Sequence, residues 1–176
     1  MDRTIKTYEP ARIDALPAEA RVDDLVPILE RIRVVIADDH PLYREAIALA
    51  IARDPRLELV GEAGDGEEAY ALTLDVAPDV LLLDQRMPGL DGVTVCERLR
   101  RHDPPLPTAV LMLSAFDDAD VVWRAVSQGA AGFIGKDASA SEIREAIRRV
   151  AEGRLAFTRK TTDGVNQGFD QLLKRS

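Results

Sequence analysis

Five polar side chains stand where apolar runs end. Asp38-Asp39 follow Ile32-Arg33-Val34-Val35-Ile36-Ala37, and Asp84 closes Val80-Leu81-Leu82-Leu83. Ser114 closes Ala109-Val110-Leu111-Met112-Leu113, and Lys136 follows Gly132-Phe133-Ile134-Gly135. Nothing about burying a core calls for a polar residue at every one of these ends. Three carboxylates brought together repel, which raises the pKa of at least one of them. A divalent cation relieves that repulsion. An acidic site built only of oxygen donors suits Mg²⁺, which prefers octahedral coordination and keeps some of its waters. Mg²⁺ can hold one phosphate oxygen, Lys136 can pair with a second as a point charge, and the Ser114 hydroxyl can donate to a third. That set serves phosphoryl transfer, where positioning and charge stabilisation do most of the catalysis. A carboxylate such as Asp84 can itself be the nucleophile and form an acyl phosphate.

Each residue alone has a plainer explanation. Asp38-Asp39 would cap a helix opening at Pro41, Asp84 would end a strand in a turn, Ser114 would be structural and Lys136 a solvated lysine. Phe133 would be a core aromatic. His40, beside the acidic pair, is read as a structural residue at a helix start and left out of the site.

The elements that must bring the five together are legible in the pattern. Short apolar segments predict strands over 32–37, 57–60, 79–84, 108–114 and 132–135. Between them, Pro41 opens a helix whose apolar face is assigned to Ala46, Ile47, Leu49, Ala50 and Ile51, and Arg53-Asp54-Pro55 breaks it. Further helices are predicted over 67–76, 91–101 and 118–128. Ser139 and Glu142 have capping-box spacing and open a last helix running to 152. Strands apolar throughout, rather than alternating, imply burial on both faces. Strand and helix alternating five times argue for an α/β, doubly wound, five-stranded parallel sheet. Ligands of such sheets bind beyond the carboxyl ends of the strands, near the point where strand order reverses. All five polar residues stand at those ends.

The chain has 176 residues, 46% of them apolar, and a formal charge of −8. A surface of that sign repels nucleic acid and anionic membranes, so DNA contact through this chain alone is disfavoured. One cysteine, Cys96, excludes an internal disulfide framework and fits a reducing compartment. The first residues hold no apolar signal core, and no apolar run approaches the roughly 18 residues of a membrane span. The expected location is cytoplasmic.

The combined pattern resembles a known family. Asp38-Asp39, the run Asp84-Gln85-Arg86-Met87-Pro88-Gly89-Leu90-Asp91-Gly92, Ser114-Ala115 and Gly135-Lys136 are similar to the receiver domain of two-component response regulators. The stretches ADDHPLYREAIALAI and VGEAGDGEEAY resemble most the NarL/FixJ (LuxR-type) subfamily. The resemblance covers about 32–152. It implies a flavodoxin-like sheet in strand order 2-1-3-4-5, with Asp84 as phosphoacceptor and a sensor histidine kinase as phosphoryl donor. It further implies Mg²⁺ held by Asp39, Asp84 and the backbone carbonyl of Arg86, with Asp38 acting mainly through water. Ser114 and Lys136 would bind the phosphoryl group. Phe133 would be the aromatic switch that turns inward when Ser114 moves. A downstream protein partner, and a homodimer through the fourth-helix to fifth-helix face or through the first and fifth helices, follow from the family alone. The implied activity is a phosphorylation-activated switch, self-phosphorylating and self-dephosphorylating, and not a turnover enzyme. Phe116, two residues after Ser114, would flank the water path and lengthen the phospho-state lifetime.

The flanks depart from the pattern. Residues 1–31 carry Pro10, Pro17 and Pro27 and read as an N-terminal extension, with a short helix over 22–32. Residues 153–176 read as a tail with one short helix after Asp163, its apolar side being Phe169, Leu172 and Leu173. They are too few for the helix-turn-helix output domain of NarL-type regulators. Two alternatives to the signalling switch therefore stand: a pseudo-receiver that binds partners without phosphorylation, and the truncated receiver part of a DNA-binding transcriptional regulator. A haloacid-dehalogenase type of hydrolase is rejected, because the first strand end reads Asp38-Asp39-His40-Pro41 in place of a DxDx(T/V) motif.

Overall fold

The structure is a computed structural model that describes residues 6–7, 31–115 and 119–158, together with 162, 163, 166, 170 and 174. The helix expected over 22–32, Phe116, and the tail residues Phe169, Leu172 and Leu173 lie outside the described residues, apart from Arg31 and Ile32. The elements run β1 Lys6–Thr7, β2 Ile32–Ala37, α1 Pro41–Ala52, β3 Leu57–Ala63, α2 Gly66–Val76, β4 Val80–Asp84, α3 Gly92–Arg100, β5 Ala109–Ser114, α4 Ala119–Ser127, β6 Gly132–Gly135, α5 Ala140–Ala151 and β7 Ala156–Phe157.

The five long strands lie in the order β3-β2-β4-β5-β6, all parallel, which is the expected 2-1-3-4-5 order of the predicted strands. Two short strands beyond the expected five lengthen the sheet at its edges, to seven. β1 pairs antiparallel with β3, Lys6 opposite Glu62 and Thr7 opposite Gly61, and β7 extends the other edge beside β6. A two-residue strand has no periodicity to read. It exists because the edge strand offers unpaired backbone groups.

Burial of β4 on both faces follows from its sequence. Val80, Leu81, Leu82 and Leu83 are all inaccessible to solvent. Side chains alternate across a sheet, so two cores form. Val35, Ala37, Leu81, Leu83, Met112 and Phe133 face one way, toward Ala69 and Leu72 of α2, Val95 and Leu99 of α3, and Val122 and Ala125 of α4. Val34, Ile36, Val80, Leu82, Leu111 and Leu113 face the other way, toward Ile47 and Ile51 of α1 and Ile143, Ile147 and Val150 of α5.

Two sequence expectations change. β3 continues past Val60 to Ala63, because the carboxylate of Glu62 meets Arg44 of α1 at 3.6 Å and the charge need not leave the sheet. Helix α1 buries Ile47, Ala50 and Ile51, but Ala46 and Leu49 of its assigned apolar face are exposed. At about 100° per residue, positions 46 and 49 turn away from the sheet that 47, 50 and 51 cover. Helices α2 and α3 start within one residue of the expected positions, where Asp65 and Asp91 accept from Glu68 N–H at 2.9 Å and Thr94 N–H at 2.7 Å, and Ser139 with Glu142 forms the expected capping box.

One buried charge ties the sheet's first helix to its last. Asp54, 7% exposed just past α1, accepts from the Arg56 backbone N–H at 3.0 Å and from the guanidinium of Arg148 on α5. Burial alone would raise its pKa, but the bonds from Arg56 and Arg148 outweigh this and hold it below the ordinary 3.8. A carboxylate whose pKa is depressed by folding stabilises fully above its unfolded value and loses that contribution as pH falls through the folded value. Asp54→Ala should cost about 2 kcal/mol near neutrality, since Arg148 and Arg56 lose charged hydrogen bonds although Arg148 keeps Glu145 at 2.6 Å. In urea unfolding the gap from wild type should hold down to about pH 5 and narrow below pH 4. A gap that stays constant into acid would count against this account.

Candidate functional site

The chain reverses direction between β2 and β4: it leaves β2 for β3 on one side and returns across α2 to β4 on the other. At that crevice the register sets Ala37 opposite Leu83, so Asp38 and Asp84 emerge side by side. Asp84 is paired in register with Leu113, and Ser114 with Gly135. The five residues picked out by sequence therefore reach one sheet edge.

Their burial differs. Asp38, Asp84 and Ser114 are almost inaccessible, at 0%, 3% and 1% exposure. Asp39 is partly open. The Lys136 ammonium joins the two buried carboxylates, 2.6 Å from Asp38 Oδ2 and 2.9 Å from Asp84 Oδ2. Burial disfavours the Lys136 charge, but the bonds to Asp38 and Asp84 prevail and raise its pKa. Asp84 is pushed up, first by burial and then by the charge of Asp38. Contacts from Lys136 and from the Arg86 backbone N–H only partly oppose this. The buried edge thus holds more negative charge than Lys136 neutralises, as the sequence implied.

The helix-cap explanation of the acidic pair fails. The residue capping α1 is His40, and no side chain caps its first turn. Asp38 Oδ1 instead accepts the His40 backbone N–H at 2.8 Å, which aims the carboxylate back into the crevice. Its backbone carbonyl accepts from the Arg44 guanidinium. The Ser114 hydroxyl donates to Gln85 Oε1 at 3.3 Å, a long bond that is readily exchanged. Phe133 is wholly buried, under β5 and α4, opposite Met112 in the sheet and beside Phe157 of β7.

Three neighbours stand outside the site as read from sequence: Tyr43 and Gln85, to which no role was given, and His40, which was read as structural and left out. Tyr43 lays its ring 4.9 Å from Lys136 Nζ, and its hydroxyl is pushed up to about 12, chiefly by burial and then by Asp38, Asp84 and Asp137. The signal was its place one helical turn beyond Asp39. His40 brings Nδ1 to 2.8 Å from Asp39 Oδ1 and 3.3 Å from Asp38 Oδ1. Gln85 directly follows Asp84.

The donor set fits a divalent cation. Asp38, Asp39, His40 and Asp84 each offer a ligand atom, and these atoms lie within 4.8 Å of one another. Carboxylate oxygens are the donors that Mg²⁺ takes, and the excess negative charge is what a dication would neutralise. Among the described residues, no helix is long and apolar enough to cross a membrane.

Comparison with known proteins agrees with this geometry. Residues 34–148 match the response regulator receiver domain family. The chain is 46% identical over 128 residues to the "Probable transcriptional regulatory protein NarL" of Mycobacterium tuberculosis, an alignment covering 73% of this chain and 58% of that protein. It is 36% identical over 136 residues to the transcriptional regulatory protein LiaR of Bacillus subtilis, covering 76% of this chain and 63% of LiaR. The chain thus spans less than two thirds of the length of these relatives. Among solved structures, the NarL signal receiver domain of M. tuberculosis superposes with a TM-score of 0.69 at 46% identity, over 71% of this chain and 99% of that one. A LuxR-family two-component response regulator from Aurantimonas sp. gives a TM-score of 0.72 at 28% identity, over 78% and 96%.

Proposed function

The chain belongs to the response regulator receiver domain family, and on that footing we propose that Asp84 accepts a phosphoryl group from a sensor histidine kinase. Asp84 attacks phosphorus, the bond from phosphorus to the donor nitrogen breaks, and the freed imidazole takes up a proton. The product is an acyl phosphate on Asp84. The observation that carries the reading is one ammonium, Lys136, held at 2.6 and 2.9 Å from two buried carboxylates at the sheet's reversal point.

Asp39, Asp84 and the backbone carbonyl of Arg86 would hold Mg²⁺ directly, with Asp38 acting mainly through water. When bound, that ion draws charge from the phosphoryl oxygens. Lys136 would pair with a phosphoryl oxygen, and the Ser114 hydroxyl would leave Gln85 to donate to another. Phe133 then turns into the space Ser114 vacates, altering the face of α4, β6 and α5. This is a two-state equilibrium biased by a local charge. The chain works as a switch rather than a turnover enzyme.

Residues 32–152 form the receiver, with 1–31 as extension and 153–176 as tail. Its output passes to a protein partner or through a homodimer on the α4–α5 or α1–α5 face. Transcription control is the second reading of the output, favoured by the relatives named as transcriptional regulatory proteins. The buried Cys96 thiol fits a cytoplasmic setting.

Acetyl phosphate with Mg²⁺ should add one phosphoryl group to the wild type and none to Asp84→Asn, read by intact-mass spectrometry. Mg²⁺ at ten times its Kd should also stabilise the fold by about 1.4 kcal/mol. Equal uptake by Asp84→Asn would refute the assignment.

A further inference from the structure

We propose that His40 gives the acidic site a nitrogen ligand, so that the chain binds first-row transition dications such as Ni²⁺ more tightly than Mg²⁺. The inference rests on the divalent-cation reading above.

The geometry is that of neighbouring ligands on one ion. At a metal–ligand distance of about 2.1 Å, two cis positions of an octahedron are about 3.0 Å apart. His40 Nδ1 is 2.8 Å from Asp39 Oδ1 and 3.3 Å from Asp38 Oδ1. His40 Nδ1 and Asp39 Oδ1 are therefore already spaced as two cis ligands of one ion, with Asp38 Oδ1 beside them to hold one of its waters. Asp38 is divided between two tasks. Its Oδ2 faces Lys136, while its Oδ1 faces His40. A cation on the His40 side need not displace the ammonium. The imidazole is 71% exposed, so it can lean over the ion from solvent without repacking the core.

Ligand chemistry then sets the preference. Mg²⁺ takes oxygen donors and water, and gains little from imidazole. Imidazole suits the transition metals, and affinity at such a site rises from Mn²⁺ towards Ni²⁺ and Cu²⁺. His40 would thus determine which ion the site selects, without touching the phosphoryl group.

The test is calorimetric titration of the full chain with Ni²⁺ and, separately, Mg²⁺, for wild type, His40→Ala, Asp39→Asn and His102→Ala. The expected result is tighter binding of Ni²⁺ than of Mg²⁺ by wild type. His40→Ala should weaken Ni²⁺ by about tenfold or more while changing Mg²⁺ by less than about threefold. Asp39→Asn should weaken both ions, and His102→Ala neither. Equal losses for both ions in His40→Ala, or none, would overturn the proposal and leave the Mg²⁺ reading standing. Ni²⁺ binding that needs His40 but not Asp39 would also overturn it, as the mark of an ordinary surface histidine. Failure of wild type to bind Mg²⁺ would instead strike the reading on which the proposal rests.

Discussion

Lys136→Met should slow phosphoryl uptake from acetyl phosphate by about a hundredfold or more, the cost of removing one prepositioned charge from the developing phosphoryl oxygens. The same substitution should tighten Mg²⁺ binding. Lys136 holds Asp38 Oδ2 at 2.6 Å and Asp84 Oδ2 at 2.9 Å, so it competes for the charge that draws a dication in. Methionine keeps most of the length of the side chain and can lie against the Tyr43 ring that now flanks the ammonium. The opposed signs make the experiment decisive. A lysine that merely balanced buried charge would be replaced by the metal, and saturating Mg²⁺ would restore the rate. A lysine that binds the transferring group cannot be replaced in that way. Time courses by mass spectrometry and Mg²⁺ titrations by calorimetry give both readings. Full rescue of the rate at saturating Mg²⁺, or a fall in Mg²⁺ affinity, would contradict the role assigned to Lys136.

Why the site was legible and some of the fold was not has a physical basis. A polar residue at one strand end says little. Four such ends converge only if the strands are parallel and adjacent, and the fully apolar run Val80–Leu83 already demanded that arrangement. Asp38, Asp84, Ser114 and Lys136 could therefore be brought together from pattern alone. The edges could not. Lys6 and Thr7 pair with β3, and Ala156 and Phe157 with β6, over two residues each, too short a span to carry a period. β3 was cut short because Gly61 and Glu62 break the apolar run. The strand continues through them because Arg44 answers the charge and Leu72 packs where a Gly61 side chain would lie. Leu49 was assigned inward on hydrophobicity, though its angular position around α1 faces it outward, at 60% exposure. His40 was set aside as structural and Tyr43 was passed over, because their roles depend on where α1 starts relative to the acidic pair. That orientation comes from tertiary packing and not from local spacing.

Gly92→Ala should disturb the site through its backbone, costing about 3 kcal/mol. Gly92 is the first residue of α3, and its N–H donates to Gln85 O at 3.0 Å. A Cβ there would lie 2.3 Å from the backbone oxygen of Asp84, 3.1 Å from its carbonyl carbon and 2.8 Å from Met112 Cε. The methionine can move, but the Asp84 backbone cannot, because β4 is hydrogen-bonded on both sides. Relief must come from pushing α3 off the end of the sheet, which shifts the carbonyl and then the carboxylate of Asp84. Gly89 provides the contrast within the same loop. Its φ of +76° disfavours a side chain, yet nothing lies within 4 Å of its Cβ position. Gly89→Ala should therefore cost only the left-handed backbone penalty, about 1 kcal/mol. Urea unfolding of both variants measures the two costs separately, steric and conformational. Acetyl phosphate labelling of the folded protein should then show Gly92→Ala impaired and Gly89→Ala close to wild type. If the two variants lose equal stability, the close approach of α3 to the Asp84 backbone does not set the geometry of the phosphoacceptor.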